Sequence, residues 1–454
     1  MTNDAAIAAV ATAPGPGAVG IVRLSGPLSP AILARVFRPR AAEKMRPRRL
    51  VLGRIIEPGR GALVDEALAV WFPAPHSFTG EDCVEIQGHG GAAAQLILEA
   101  VLAAGAVMAA PGEFTRRAFL NGRMDLSQAE AVAELIAARG RAEAKLAAGR
   151  LAGGLRDRLA PAREAILSAL AELEAAIDFS DELGEVDLDG LRRKVEAGAA
   201  RPIEALLADG RSGRLFRDGL KLALAGSPNV GKSSLFNALT GGDRAMVSEI
   251  PGTTRDYLTA EAAWAGLAVE LYDTAGLSEA PRDELEADGQ ERARARIAEA
   301  DIVLWVLDAS RRAYDGGGLF PNPELALKER TVVVWNKVDL APAPAPGEEG
   351  YAQTAVSAKT GAGLKELKEL ILRLALGHAD FAPPQIVPNA RQFEALAAAG
   401  GRLGDFFQAA SSGQPPDICA LELKAALDAL EVICGRTTPE DVLDKIFSRF
   451  CLGK

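Results

Sequence analysis

The stretch GSPNVGKSS at 226–234 leaves the fold the least freedom. It follows the apolar run LKLALA and leads into KSSLFNALTG, which reads as a helix. A G-x-x-x-x-G-K-[ST] spacing between a buried strand and a helix aims successive backbone N–H groups at phosphates. Gly226 and Gly231 permit that backbone path, Lys232 brings charge to the β- and γ-phosphates, and Ser233 offers a hydroxyl to Mg2+. Buried strands recur at LAVELYDTAG, ADIVLWVLDAS and RTVVVWNKVDL. Strands alternating with helices imply a mostly parallel, doubly wound α/β sheet over about 218–376.

Three further motifs follow in order. PGTTRD (251–256) offers Thr254 as a second Mg2+ ligand. DTAG (273–276) ends a strand, with Asp273 as the metal-side carboxylate and Gly276 free to meet a γ-phosphate. NKVD (336–339) ends another strand, and Asp339 can accept two N–H bonds from the guanine edge, a donor pair that adenine lacks. SAK (357–359) completes the base pocket. GTP is expected against Asn229, Val230, Gly231, Lys232, Ser233 and Ser234, and against Pro251, Gly252, Thr253 and Thr254 with the Ser248, Glu249 and Ile250 that precede them. The remaining contacts expected are Asp273, Thr274, Ala275 and Gly276, then Asn336, Lys337, Asp339, Ser357, Ala358 and Lys359.

The residue after DTAG is Leu277, where Ras-like proteins hold the glutamine that orients the attacking water. A leucine cannot orient water, so another group must; the candidate carboxylates lie in RDELEADGQE. No arginine finger is evident. Asn229 is either a turn former or a carbonyl ligand for a monovalent cation placed where an arginine finger's charge would sit.

A chain of 454 residues exceeds one core, and 48 % hydrophobic with 25 % charged residues is an ordinary soluble balance. No apolar stretch reaches the roughly 18 residues that span a bilayer, and the first residues lack the basic start of a signal peptide, so a cytoplasmic protein without a membrane partner is expected. Residues 1–120 alternate short strands with AAAQLILEAVLAAG and read as an α+β domain. Ala/Leu/Glu/Arg-rich segments with helical periodicity follow over 121–215, the α/β domain occupies 216–378, and helices return over 379–454. The α/β domain thus interrupts an all-α one. At a net charge of −10, a nucleic-acid partner needs a local basic patch. Residues 35–54 hold eight Arg/Lys against one Glu, as an RNA contact or a solvated loop. His89 in QGHGG reads as a turn or core residue rather than a ligand.

The four cysteines, Cys83, Cys419, Cys434 and Cys451, lack C-x-x-C spacing, which argues against a zinc site or disulfide scaffold. Cys451 sits in the closing SRFCLGK, where Gly453 and Lys454 do not fit a prenylation signal. It is either a small hydrophobe packing the last helix or a reactive thiol delivered to a site elsewhere.

These residues carry a resemblance over nearly the whole chain. ATAPGPGAVGIVRLSG, SFTGED, QGHGG, PGEFTRRAFLNGRMDLSQAEAV, AGSPNVGKSSLFNAL, PGTTRDY, DTAGL and FCLGK resemble the MnmE (TrmE) family of tRNA modification GTPases. The resemblance implies an N-terminal folate-binding dimerisation domain, a helical domain and an inserted Ras-like G domain. It implies a homodimer, K+ held by Asn229, Ser248, Ile250 and Thr253, and a water-positioning glutamate at Glu286, or at Glu284. It carries folate contacts to Arg23, Glu81, Arg123 and Lys454, and a catalytic role to Cys451; from the residues alone, Arg23 and Lys454 could equally be solvated charges. The implied activity uses GTP, Mg2+ and 5-formyl- or methylene-tetrahydrofolate. The FAD-containing protein MnmG would join it in a hetero-tetramer acting on the wobble uridine of certain tRNAs. The rivals are a ribosome-assembly GTPase without folate chemistry and a folate-dependent one-carbon transferase with a merely regulatory G domain.

Overall fold

The structure, a computed structural model, describes residues 5–40, 45–179, 187–241, 259–273, 294–311, 327–344, 350–376 and 385–453. The chain opens with β1 (Ile7–Val10), β2 (Gly20–Ser25), α1 (Ser29–Val36), β3 (Phe37–Pro39), β4 (Val51–Ile56), β5 (Leu63–Phe72), β6 (Cys83–Gly88), α2 (Ala92–Ala103), β7 (Val107–Met108) and α3 (Glu113–Leu120). The strands form one sheet in the order β3-β4-β5-β6-β2-β1-β7, antiparallel except for the β1–β7 pair. Side chains alternate between its faces. On one face, Val22, Leu24, Val84 and Ile86 pack with Ile32 and Leu33 of α1 and with Ile97 and Val101 of α2. The other face carries a smaller cluster of Ile7, Ala9, Ala109 and Phe114.

Helices follow: α4 (Leu126–Ala137), α5 (Arg141–Leu151), α6 (Gly154–Asp178), α7 (Leu188–Val195), a π-helical turn (Glu196–Ala200) and α8 (Arg201–Asp218). The long α6 buries Leu155, Leu159, Ala162, Ile166, Ala169 and Leu173, an apolar stripe at three- and four-residue spacing.

The α/β portion comprises β8 (Leu220–Ala225), α9 (Lys232–Thr240), β9 (Thr259–Trp264), β10 (Leu267–Asp273), β11 (Ile302–Asp308), β12 (Thr331–Asn336), β13 (Ala352–Ala355) and α10 (Leu364–Leu376). The sheet runs β13-β12-β11-β8-β10-β9. All pairs are parallel except β9–β10, a hairpin whose two turn residues, Ala265 and Gly266, both have positive φ as a primed turn requires. β11 and β12 are buried along their whole length, which explains their unbroken apolar runs. The closing helices are α11 (Ala390–Ser411), α12 (Pro416–Cys434) and α13 (Glu440–Phe447). Arg163 of α6 and Glu431 of α12 pair at 3.0 Å.

The chain divides into two compact units. The first takes Met1–Glu134, Arg150–Arg201 and Glu394–Lys454; the second takes Leu135–Gly149 and Pro202–Phe393. The second therefore includes most of α5 and α8 besides the parallel sheet. Ala142, Leu146 and Phe216 from those helices share one core with Leu220, Trp264 and Leu267. A helix-periodic stripe shows that a face is buried, but not against which partner.

Candidate functional site

In the second unit, β8 is the strand from which the chain turns both ways, with β10 on one side and β11 on the other. Open α/β sheets bind ligands at the carboxyl ends of the strands beside such a switch point. Here those ends carry Gly226 after β8, Asp273 on β10, Asp308 on β11 and Asn336 on β12, with Ser357 just past β13.

Glycine is required at both motif positions. Gly226 has φ +141°, and a Cβ there would be driven into the carbonyl oxygen of Val306. Gly231 has φ +97° and precedes α9; a Cβ there would strike Asn336 Nδ2. The N-terminus of α9 thus stays open, and unpaired N–H groups at a helix start favour an anion. Lys232 is folded over the loop, donating to the carbonyl oxygens of Gly226 at 2.9 Å and Ser227 at 3.0 Å. Burial pushes its ammonium below the usual lysine range, opposed by the Asp273 carboxylate. A cation over the glycine loop beside an open helix N-terminus fits a polyphosphate. Ser233 Oγ donates to Asp273 Oδ2 at 2.8 Å, bringing together two oxygen ligands of the type a hard divalent cation takes. Ser234 is exposed in the first turn of α9.

The base side is tied to the phosphate side by Asn336, which is 2 % exposed. Its Nδ2 donates to Val230 O at 3.0 Å, and its Oδ1 accepts from Ala358 N at 3.1 Å. Asp339 is exposed, and its Oδ1 accepts from Ser357 Oγ at 2.7 Å, which orients the carboxylate. Lys359 is exposed on the next loop. Asn229 and Lys337 both have left-handed backbone, φ +66° and +65°. Asparagine tolerates this conformation; for lysine it costs about 1–2 kcal/mol. Lys337 Nζ donates to Asn229 O at 2.8 Å and to Asp308 Oδ2 at 2.7 Å. Burial alone would raise Asp308, but hydrogen bonds from Lys337 and Ser310 outweigh it and hold its carboxyl below the ordinary range. Asp308 was not singled out from the sequence. An aspartate ending the apolar run IVLWVLD, in a sheet whose other strand ends carry the nucleotide motifs, was the available signal.

Ser248, Glu249, Ile250, Pro251, Gly252, Thr253, Thr254, Thr274, Ala275, Gly276, Leu277, Glu284, Glu286 and Lys454 lie outside the described residues.

In the first unit, three of the expected folate residues gather near β2. Arg23 Nη2 pairs with Glu85 Oε1 at 2.8 Å, and its guanidinium lies over Phe78, 5.2 Å from the ring centroid. Glu81 Oε2 accepts from Ser25 Oγ at 2.8 Å and Arg117 Nη1 at 3.1 Å. Arg123 is exposed, and its stem lies beside Gly80, next to Glu81. The Ser25 and Arg117 partners were not anticipated, since neither sits near Glu81 in sequence. A cavity of about 1270 Å3 lies in the same unit, lined by Ala9, the Thr12–Gly17 loop, Gly90, Gly91, Gln95, Met108, Cys451 and Leu452. Ala9 is the direct strand partner of Arg23. The closing residues reach it because Phe447 and Phe450 pack with Leu126 and Ala129, while Gly453, at φ +91°, lies against Val10 O with no room for a Cβ. Cys451 itself is exposed.

His89 is exposed just past β6, and its Nδ1 lies 2.7 Å from Asp65 Oδ1. Arg38 and Arg54 stand opposite each other across β3–β4, both exposed, while Arg48 donates to His76 O. Among the described residues no helix is long and apolar enough to cross a membrane.

A glycine loop feeding an open helix N-terminus, a serine–aspartate oxygen pair and an N-K-x-D loop define a Ras-like P-loop G domain on a mostly parallel sheet. It is joined to an α+β domain and a helical one. Two family models match the chain: "GTP-binding protein TrmE N-terminus" over residues 6–123 and "MnmE helical domain" over residues 126–451. The tRNA modification GTPase MnmE of Synechococcus sp. is 43 % identical over 100 % of this chain and 99 % of its own length. That of Chloroflexus aurantiacus is 44 % identical over the whole of both chains. Among solved structures, the G domain of the T. maritima FeoB iron transporter is 28 % identical, covering 34 % of this chain and 98 % of its own, with a TM-score of 0.28. The chain belongs to the MnmE (TrmE) family.

Proposed function

We propose that this chain is a K+-dependent GTPase that acts with MnmG on the wobble uridine of certain tRNAs. The product would be an aminomethyl or carboxymethylaminomethyl group on the 5-carbon, drawn from a one-carbon folate. The observation that carries this reading is full-length similarity to tRNA modification GTPases together with the glycine loop and N-K-x-D loop brought together among the described residues. Similarity through the N-terminal domain and FCLGK favours it over a ribosome-assembly switch, which needs neither.

In this reading Lys232 and the N-terminus of α9 hold the β- and γ-phosphates, and Asp339, oriented by Ser357, reads the guanine edge. Mg2+, when bound by Ser233 and Thr254, would offset charge on the phosphate oxygens. K+, when bound by Asn229 with Ser248, Ile250 and Thr253, would supply the charge that an arginine finger gives elsewhere. Glu286 would position the water. A pterin carries N–H donors and its glutamate tail carboxylates, matching Glu81 on one side and Arg23, Arg123 and Lys454 on the other. GTP turnover would serve to open and close the G domains of a homodimer rather than to carry out the carbon chemistry. The domain boundaries proposed are 1–120, 121–215, 216–378 and 379–454.

Replacing Na+ by K+ is expected to raise GTP turnover at least about tenfold, which needs only about 1.4 kcal/mol of transition-state stabilisation. Asn229→Ala should erase the difference, and equal rates in the two salts would show that no such cation site operates. The tRNA reading is checked by nucleoside analysis of tRNA from cells lacking the protein. Unchanged wobble uridines would remove it.

A further inference from the structure

We infer that Asp308 is a positioning residue for guanine-nucleotide binding. It fixes the Lys337 ammonium so that one side chain ties the guanine loop to the phosphate loop at Asn229. The inference rests on the G-domain reading above and goes beyond it by coupling base recognition to the residue at the candidate cation position.

Asp308 ends β11 and is 5 % exposed. Its two oxygens have separate tasks. Oδ1 accepts from Ser310 N at 3.0 Å and Ser310 Oγ at 2.6 Å, which locks the plane of the carboxylate. Oδ2 is left to face Lys337 Nζ at 2.7 Å; Arg311 Nε stands 3.8 Å from the same oxygen on an exposed side chain. A lysine stem has several rotatable bonds and would otherwise wander. A buried carboxylate is costly unless paired, so the pair sustains itself before any nucleotide arrives. Lys337 Nζ then donates a second N–H to Asn229 O at 2.8 Å. That bond is the handle on a residue held at φ +66°. Lysine in the N-K-x-D loop thus acts on both sides of the site, and Asp308 decides where its charge rests.

The test is titration of the full chain with a fluorescent N-methylanthraniloyl-GDP, alongside the dependence of GTP turnover on KCl. Wild type must bind the GDP analogue and ignore the ADP analogue; if it does not, the G-domain reading itself fails. Asp308→Asn keeps the Ser310 acceptor but removes the charge facing Lys337. Its Kd for the GDP analogue should rise about tenfold, the scale of one hydrogen bond between charged groups. Lys337→Met should weaken binding at least as much, and the double variant should match Lys337→Met within about twofold, because both changes break one unit. A Kd for Asp308→Asn within about twofold of wild type, or effects that multiply in the double variant, would overturn the inference. The KCl concentration giving half-maximal turnover should also rise in Asp308→Asn, and an unchanged value would overturn the link to Asn229. If Asp308→Asn shows no cooperative melt, Lys337→Met, whose side chain is half-buried, serves instead. A raised half-saturating KCl supports the tie, and an unchanged one overturns it.

Discussion

Asp339→Asn is expected to move base preference from guanine to xanthine. Ser357 Oγ donates to Asp339 Oδ1 at 2.7 Å, which orients the carboxylate and leaves a lone pair on each oxygen for the base. In the variant the carbonyl oxygen keeps the serine bond and the amide group takes the other place. An amide N–H meets the N–H edge of guanine donor to donor, but suits the carbonyl that xanthine carries there. Loss of a charged bidentate pair costs about 2–4 kcal/mol. That is about 30- to 1000-fold in GTP affinity. Competition against a labelled guanine nucleotide by GTP and by xanthosine triphosphate measures both arms. GTP affinity equal to wild type would place base recognition elsewhere.

A comparable loss, of tRNA modification rather than of nucleotide binding, is expected from Cys451→Ser. The thiol is exposed and faces a cavity, so little packing is lost, and surface changes of this kind stay within about 0.5 kcal/mol. GTP turnover in KCl and the melting temperature should therefore stay near wild type. Modified wobble uridine in cells carrying the variant should fall at least about tenfold if the thiol acts as a nucleophile or proton carrier, the scale of about 1.4 kcal/mol in a barrier. Gly453→Ala provides the companion measurement. Its Cβ would collide with Val10 O at φ +91°, so the closing residues must shift, and the variant is expected to displace Cys451 from the cavity. Both variants should share the modification defect. Full modification by a well-folded Cys451→Ser protein would leave the thiol without a chemical role, and a defect confined to Gly453→Ala would transfer the role to the neighbouring backbone or Lys454.

Much of this molecule was legible in one dimension because its nucleotide site is built from short loops between elements. In GSPNVGKSS and NKVD the chemistry depends on residues within a few positions of one another. The left-handed turns, the helix start and the oxygen ligands therefore appear as spacing. The unbroken apolar runs of β11 and β12 likewise announced a sheet covered on both faces. What the sequence could not supply were partnerships between distant segments. Asp308 and Lys337, Glu81 with Ser25 and Arg117, and Gly453 with Val10 are each brought together by packing alone. The same holds for Ala142 and Leu146, whose helical periodicity marked a buried face while only the tertiary structure set it against Trp264 and Leu267. Local pattern records which side of an element avoids water. Which surface it meets depends on contacts between segments far apart in the chain, and these leave no period in the sequence.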